Sequence, residues 1–335
     1  MAVLIRWPRH SDGTEKGVLV PSITQLEYLL AVDRERHFGN AAKACHVSQP
    51  SLSAQIQKLE EELGVVVFDR SQKPILTTSV GQEIIDQAKK VIAEHRKLSD
   101  VAHEAGGEPR GPFHLAVIPT LAPYVLPLFL GEFASRYPKV KLKINEYKTD
   151  DIVRLLLEDE IDVGLLVTPL GDDRIIERHL FFEPFSVYAS ENHRLAKKKW
   201  VTEGDIEDHD LWLLEEGHCF REQVLKVCSL EPSHKVLKNV EFASGNLETL
   251  MNLIKKNVGY TLLPQLAVDQ LSAQEIQAHV RRFKKPVPTR EVSLVHSRSF
   301  LKENIIEAME SLILSQLPKS IKSLKRQEVE VVDIY

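Results

Sequence analysis

The chain has 335 residues, 43% hydrophobic and 27% charged, with a formal net charge of −5. This is a soluble globular composition long enough for two or three domains; three cysteines exclude a disulfide scaffold, and no run reaches the ~20 apolar residues of a membrane helix. The charge argues against a uniformly basic nucleic-acid binder, and the N-terminal "MAVLIRWPRHSDGTEKG" has no small-residue cleavage site after its short apolar run, so a cytoplasmic protein is expected.

Residues 1–21 hold Pro8, Gly13, Gly17 and Pro21 and are expected to form a flexible arm. Ser22 opens a capping box closed by Gln25, and Leu26, Leu29 and Leu30 follow at helical spacing. "FGNAAKACHV" reads as a second short helix, in which Cys45 is expected in the core and His46 at the cap. Ser48 caps a third helix with Pro50 in its first turn; Leu52, Ile56, Leu59 and Leu63 form its inward face, and Gly64 ends it. "VVVFDR" and "PILTT" predict two short strands, and Ser79 with Gln82 opens a long helix. There Ile84, Ala88, Val91, His95 and Leu98 step by four and three, a coiled-coil rhythm. The expected division is a winged helix-turn-helix over 22–80, a linker and dimerisation helix over 81–105, and a hinge over "GGEPRGP", 106–112.

Beyond the hinge the pattern turns α/β, over 113–318. "FHLAVI", "KVKLKINEY" and "IDVGLLV" predict strands separated by helices at "APYVLPLFLGEFASRY" and "DDIVRLLLEDE", a βαβαβ run with a parallel sheet. A similar unit follows, with strands at "FSVYAS", "LWLL" and "VGYTLL" and helices at 220–229 and 246–256. "REVSLVHS" and "NIIEAMESLILSQL" add a late strand and helix. Two small α/β subdomains with a cleft between them are expected, and 319–335 reads as a charged, solvated tail.

Three helices and a hairpin in the first third suit DNA. The polar stripe of the third helix carries Ser51, Gln55 and Lys58, and Ser48, Gln49 and Ser53 cluster at its start, where a recognition helix reaches base edges. Lys58 and Arg70 suit phosphates. Residues 22–105 hold 10 Lys+Arg against 12 Asp+Glu, yet only basic charges, Arg36, Lys43 and Lys58, occur between Arg36 and Leu59. The competing reading is a small helical domain with a solvated polar face.

"GHCFREQVLKVC", 217–228, places two of the three cysteines nine positions apart. They could be packing residues. Zinc ligation by His218, Cys219, Cys228 and His234 ranks low without a C-x₂-C pair. Enzyme signatures are lacking: G-x-x-x-x-G-K-[ST], G-x-G-x-x-G and G-x-S-x-G do not occur, and adjacent Cys and His rarely serve as nucleophile and base. No enzyme activity, metal or cofactor is expected.

"AAKACHVSQPSLSAQIQKLEEELGVVVFDR" resembles the helix-turn-helix of LysR-type transcriptional regulators, and the resemblance runs over residues 22–315. Within that family "GHCFREQVLKVC", "IPTLAPYVLP", "SLEP", "LETL" and "GYTLLPQLAV" are similar to segments of the OxyR-like hydrogen-peroxide sensors. The resemblance implies a periplasmic-binding-protein-like regulatory domain and adds Pro50 to the DNA-facing residues. It implies a homodimer or homotetramer on double-stranded promoter DNA, activation through RNA polymerase, and control of oxidative-stress genes. It also implies that Cys219 reacts with peroxide and Cys228 resolves it, with Thr120, Thr149, His218, Arg221 and Arg290 around the pocket. Residues 1–21 have no counterpart, and Glu222 stands where Asp is frequent. The alternative within the family is a small-molecule effector in the cleft between the lobes.

The chemistry agrees with that implication. The thiolate is the reactive form, and His218, Arg221 and the amides of a helix start are expected to favour it at Cys219. Peroxide takes such a thiolate to sulfenic acid, which condenses with a second thiol. Nine residues of helix separate two Cα atoms by about 13 Å, whereas a disulfide needs ~7 Å or less. Oxidation must therefore unwind this segment.

Overall fold

The computed structural model describes residues 21–104, 108–206, 210–228, 245–256, 259–297, 302–324 and 326–333. The arm expected over 1–21, except Pro21, the beginning of the 106–112 hinge, and His234 lie outside the described residues. The chain divides into two units at Leu98/Ser99.

The first unit contains α1 (Ile23–Glu35), α2 (Phe38–Ala44), α3 (Gln49–Leu63), β1 (Phe68–Asp69), β2 (Leu76–Thr77) and most of α4 (Ser79–Glu104). The Ser22 hydroxyl accepts from the Gln25 amide at 3.2 Å, and the Gln25 side chain accepts from the Ser22 amide at 2.9 Å. His46 closes α2 in the left-handed region at φ 56°, its amide donating to the Lys43 carbonyl. Ser48 caps α3 by accepting from the Ser51 amide at 3.3 Å, and Gly64 ends it at φ 69°. Leu52, Ile56 and Leu59 are buried against Leu29, Val32, Phe38 and Ala41. Cys45 is only half-buried at the edge of this core.

β1 and β2 pair antiparallel, Phe68 opposite Thr77, as the wing. Glu60 anchors it: Oε1 accepts from the amides of Val67 and Phe68 at 2.8 and 3.1 Å. The expected heptad on α4 is divided. Ile85, Ala88 and Ile92 pack on the unit's own core, whereas Val80, Val91 and Leu98 are 45%, 46% and 70% exposed. Helical spacing alone did not reveal that α4 carries two apolar stripes, one for its own domain and one open.

The second unit contains β3 (Gly111–Val117), α5 (Ala122–Arg136), β4 (Val140–Glu146), α6 (Thr149–Leu157), β5 (Val163–Thr168), β6 (Ile175–Ala189), α7 (Cys219–Cys228), α8 (Leu247–Lys256), β7 (Tyr260–Pro264), α9 (Gln265–Val268), α10 (Ala273–His279), β8 (Val280–Arg282), β9 (Val287–Ser297), α11 (Glu303–Gln316), α12 (Lys319–Lys322) and β10 (Val329–Val331). The sheet order is β4-β3-β5-β9-β6-β7. β3 pairs in parallel with β4 and β5, as the βαβαβ pattern requires. α6 lies so close to β5 that a Cβ at Gly164 would sit 2.6 Å from Ile152 Cγ2.

Four features depart from expectation. β9 arrives from far along the chain and inserts between β5 and β6, antiparallel to both. β6 is 15 residues long rather than confined to "FSVYAS"; its first part pairs with β9, and Phe185–Ala189 pair with β7. "LWLL" is not a strand: Leu211 makes one isolated bridge to Tyr260. The expected solvated tail instead folds onto the sheet, where β10 pairs with β9 in parallel.

Ile56 is fully buried at the centre of the first unit. Ile56→Ala is expected to lower that unit's stability by about 2–5 kcal/mol through lost apolar burial and the cavity left behind, read as a reduced denaturation midpoint. A midpoint within error of wild type would contradict this packing.

Candidate redox and nucleic-acid sites

The left-handed Gly217, φ 84°, turns the chain into α7, and a Cβ there would crowd Lys148 Cδ at 3.2 Å. Lys148 immediately precedes α6. Its ammonium donates to the Glu216 carbonyl at 2.9 Å and pairs with Glu215 at 3.1 Å, tying the loop before α7 to the start of α6. Thr149, the first residue of α6, and Cys219, the first of α7, are both buried. Burial pushes the Cys219 thiol up; the Thr149 hydroxyl, the Arg290 charge and the Phe220 and Cys219 amides oppose it in that order. The Thr149 hydroxyl is turned to the Cys219 thiol and, among the described residues, has no nitrogen or oxygen partner. It therefore keeps hydrogen-bonding capacity beside the sulfur.

Arg290 supplies the cation, from β9. Its side chain and that of Glu183 on β6 both have 0% exposure. Nε donates to Glu183 at 2.9 Å, and Nη1 and Nη2 donate to the hydroxyl and carbonyl of Thr120 at 3.0 and 3.2 Å. The other Glu183 oxygen accepts from the Leu266 amide at 2.8 Å. The guanidinium lies 5.7 Å from the Phe220 ring centroid, one residue past Cys219. Thr120, Thr149, Cys219 and Arg290 thus form one buried neighbourhood.

The two residues flanking Cys219 do not have the cationic role expected of them. Arg221 turns away and donates to the Leu214 carbonyl at 2.8 Å. Burial and then the Lys148 charge push the His218 imidazole down against the Glu215 carboxylate, so the ring is neutral at pH 7. Its Nε2 faces Glu215 at 3.5 Å. Glu222 is exposed on the outer side of α7. Sequence reasoning missed Glu183, Lys148 and Glu215, because acids and lysines distant along the chain carry no local signal of pairing.

Cys228, the last residue of α7, is buried and its thiol is pushed up to about 12, first by burial and then by the Glu203 charge. Both cysteines are free thiols. Among the described residues no three His, Cys, Asp or Glu side chains cluster as metal ligands.

On α3 of the first unit, Gln49, Pro50, Ser51, Gln55 and Lys58 are exposed, as is Ser48, whose hydroxyl is engaged in the cap. Lys58 approaches Glu62 at 3.6 Å. Ser53 is half-buried and accepts from Arg70 at 3.3 Å. Arg70, expected at a phosphate, pairs with Glu60 at 2.8 Å and lies 4.8 Å from the Phe38 ring centroid. Its guanidinium fastens the wing to α3.

Both α7 thiols have folded-state pKa values above their unfolded ones. Their burial therefore contributes stability below the unfolded value of ~8.5, and this is lost as pH rises. Iodoacetamide at pH 8 should label both thiols well below the rate of a denatured control. Thr149→Val removes the first group opposing burial and should move the Cys219 labelling profile to higher pH, leaving that of Cys228 in place. An unmoved Cys219 profile would sink the Thr149 assignment.

Residues 23–82 match the family described as bacterial regulatory helix-turn-helix protein, lysR family, and residues 106–318 match the LysR substrate binding domain. The chain is 35% identical over 275 residues to the hydrogen peroxide-inducible genes activator of Dickeya chrysanthemi, covering 82% of this chain and 89% of the relative. It is also 35% identical to the DNA-binding transcriptional dual regulator OxyR of Escherichia coli K12, with the same coverage. A solved full-length OxyR variant from Pseudomonas aeruginosa superposes with a TM-score of 0.71 at 32% identity, covering 89% of this chain and 99% of that one. A hydrogen-peroxide-bound OxyR variant from Corynebacterium glutamicum gives 0.58 at 28% identity, covering 90% and 94%. The chain belongs to the LysR family of bacterial helix-turn-helix regulators, with its similarity directed to the OxyR proteins.

Proposed function

We propose that the chain is a DNA-binding transcriptional regulator that senses hydrogen peroxide through Cys219 and Cys228. The observation that carries this reading is the buried Thr149 hydroxyl turned to the buried Cys219 thiol, with Arg290 and Thr120 adjacent. The names of the relatives point the same way. Thr149 and Thr120 hold the peroxide, and the Cys219 sulfur attacks one oxygen as the O–O bond breaks. Cys219 becomes sulfenic acid; the other oxygen leaves as hydroxide and takes a proton to become water. The Cys228 sulfur then displaces the sulfenic oxygen as a second water, and a disulfide forms. Ends of an intact ten-residue helix are too far apart to bond, so α7 is rebuilt, and this refolding is the signal.

In this reading the protein is a cytoplasmic, non-enzymatic activator that works with RNA polymerase. Among the described residues no helix is long and apolar enough to cross a membrane. The open stripe of Val80, Val91 and Leu98 supports assembly of dimers or tetramers through α4. The exposed Gln49, Ser51, Gln55 and Lys58 are the groups to contact DNA; Gln55→Ala should weaken specific binding by about 1–3 kcal/mol if it reads a base, which a gel-shift titration measures.

The deciding experiment joins mass spectrometry of peroxide-treated protein to promoter activity in three variants. Cys219→Ser should abolish the response, Cys228→Ser should leave it weak or transient, and Cys45→Ser should change little. A Cys219→Ser variant that still responds, or an oxidised wild type without a Cys219–Cys228 linkage, would refute the reading. A response to a small metabolite instead would favour an effector in the cleft.

A further inference from the structure

The C-terminal segment lies past residue 318, where the match to the family's regulatory domain ends. It is nevertheless built into the second unit. Val329, Glu330 and Val331 pair with Val287, Pro288 and Thr289 of β9, and the Val332 amide donates to the Thr289 carbonyl at 2.8 Å. The Arg326 guanidinium lies 4.9 Å from the Phe182 ring centroid, and Glu328 pairs with Lys285. The next β9 residue is Arg290.

A hydrogen bond joins this segment to the redox helix. The Gln223 side-chain amide donates to the Val332 carbonyl at 2.8 Å. Gln223 has 0% exposure and sits between Cys219 and Cys228 on α7. A buried amide is costly to leave without a partner, so this contact has consequences for both elements.

We propose that residues 326–333 form a clamp that holds α7 in its helical form through the Gln223–Val332 hydrogen bond, and that rebuilding α7 releases the strand. Unwinding α7 withdraws Gln223 from the Val332 carbonyl, so docked β10 opposes unwinding. By reciprocity, an unwound α7 weakens the docking of β10. A three-residue strand has little stability of its own and responds readily to the loss of one contact. The trigger rests on the peroxide reading; the clamp is a property of the reduced protein and is tested there.

The test is hydrogen exchange read by mass spectrometry on the reduced full-length chain, a chain ending at Leu324, and Gln223→Leu. Ending the chain at Leu324 should speed exchange of residues 219–228 roughly fivefold, the effect of one net hydrogen bond, and shorten the time to the Cys219–Cys228 disulfide at limiting peroxide. Gln223→Leu should speed exchange across 329–332 by a similar factor while leaving β3 and β5 as they are. Wild-type exchange in α7 of the shortened chain, with the rest of the second unit still protected, would overturn the clamp. The exchange measurements need no peroxide. A chain that clamps α7 but forms no disulfide would refute the peroxide reading alone.

Discussion

The surroundings of Cys219 are organised around one buried ion pair. Arg290 and Glu183 are both inaccessible to solvent, and removing two such ions from water costs several kcal/mol per ion unless the geometry satisfies them. Here it does: the guanidinium reaches Glu183 and both oxygens of Thr120, and the second Glu183 oxygen takes the Leu266 amide. Each partner belongs to a different element. The pair therefore fixes the register of β6 against β9, the loop after β3, and the start of α9. Phe220 lies beside the same guanidinium, so the start of α7 is placed by it as well.

The reduced site is guarded as much as it is activated. Burial outweighs Thr149, Arg290 and the helix-start amides, so the Cys219 thiol is raised despite all three. Reactive cysteines commonly owe their reactivity to nearby positive charge and some exposure. In this chain Arg290, the cation acting on the thiol, already has a carboxylate partner. The reduced protein thus favours the thiol: Thr149, Arg290 and the helix-start amides act against burial without outweighing it.

Much of this was legible in the chain itself, since it depends on local chemistry. Ser22 with Gln25, Ser48 with Pro50, and the Leu52–Ile56–Leu59 face are short-range patterns, and each appears where the spacing puts it. The βαβαβ run was equally readable from alternating apolar segments. Thr149 and Arg290 came from resemblance, as nothing local marks a threonine at a helix start or an arginine in a strand as facing a thiol. What could not be read was long-range pairing: β9 between β5 and β6, Glu183 with Arg290, Lys148 with Glu215, and β10 on β9. His218 and Arg221 show the opposite error. Adjacency in sequence suggested proximity of charge, but the Leu214 carbonyl engages Arg221, and burial with the Lys148 charge holds the His218 imidazole down.

The high pKa of Cys228, about 12, has a kinetic consequence. In the proposed reading, while α7 is folded the second thiol is both distant and protonated, so it does not compete for a sulfenic acid at Cys219. Disulfide closure then waits on the opening rate of the helix, which does not depend on the oxidant. On that reading, at low peroxide the first oxidation limits the response, and output follows dose. At high peroxide helix opening limits it, and the response time reaches a floor. Beyond that point a second peroxide molecule competes with Cys228 for the same sulfur, and the sulfinic product is irreversible without a dedicated repair enzyme. The stability of one ten-residue helix would thus set the upper edge of the working range of the sensor.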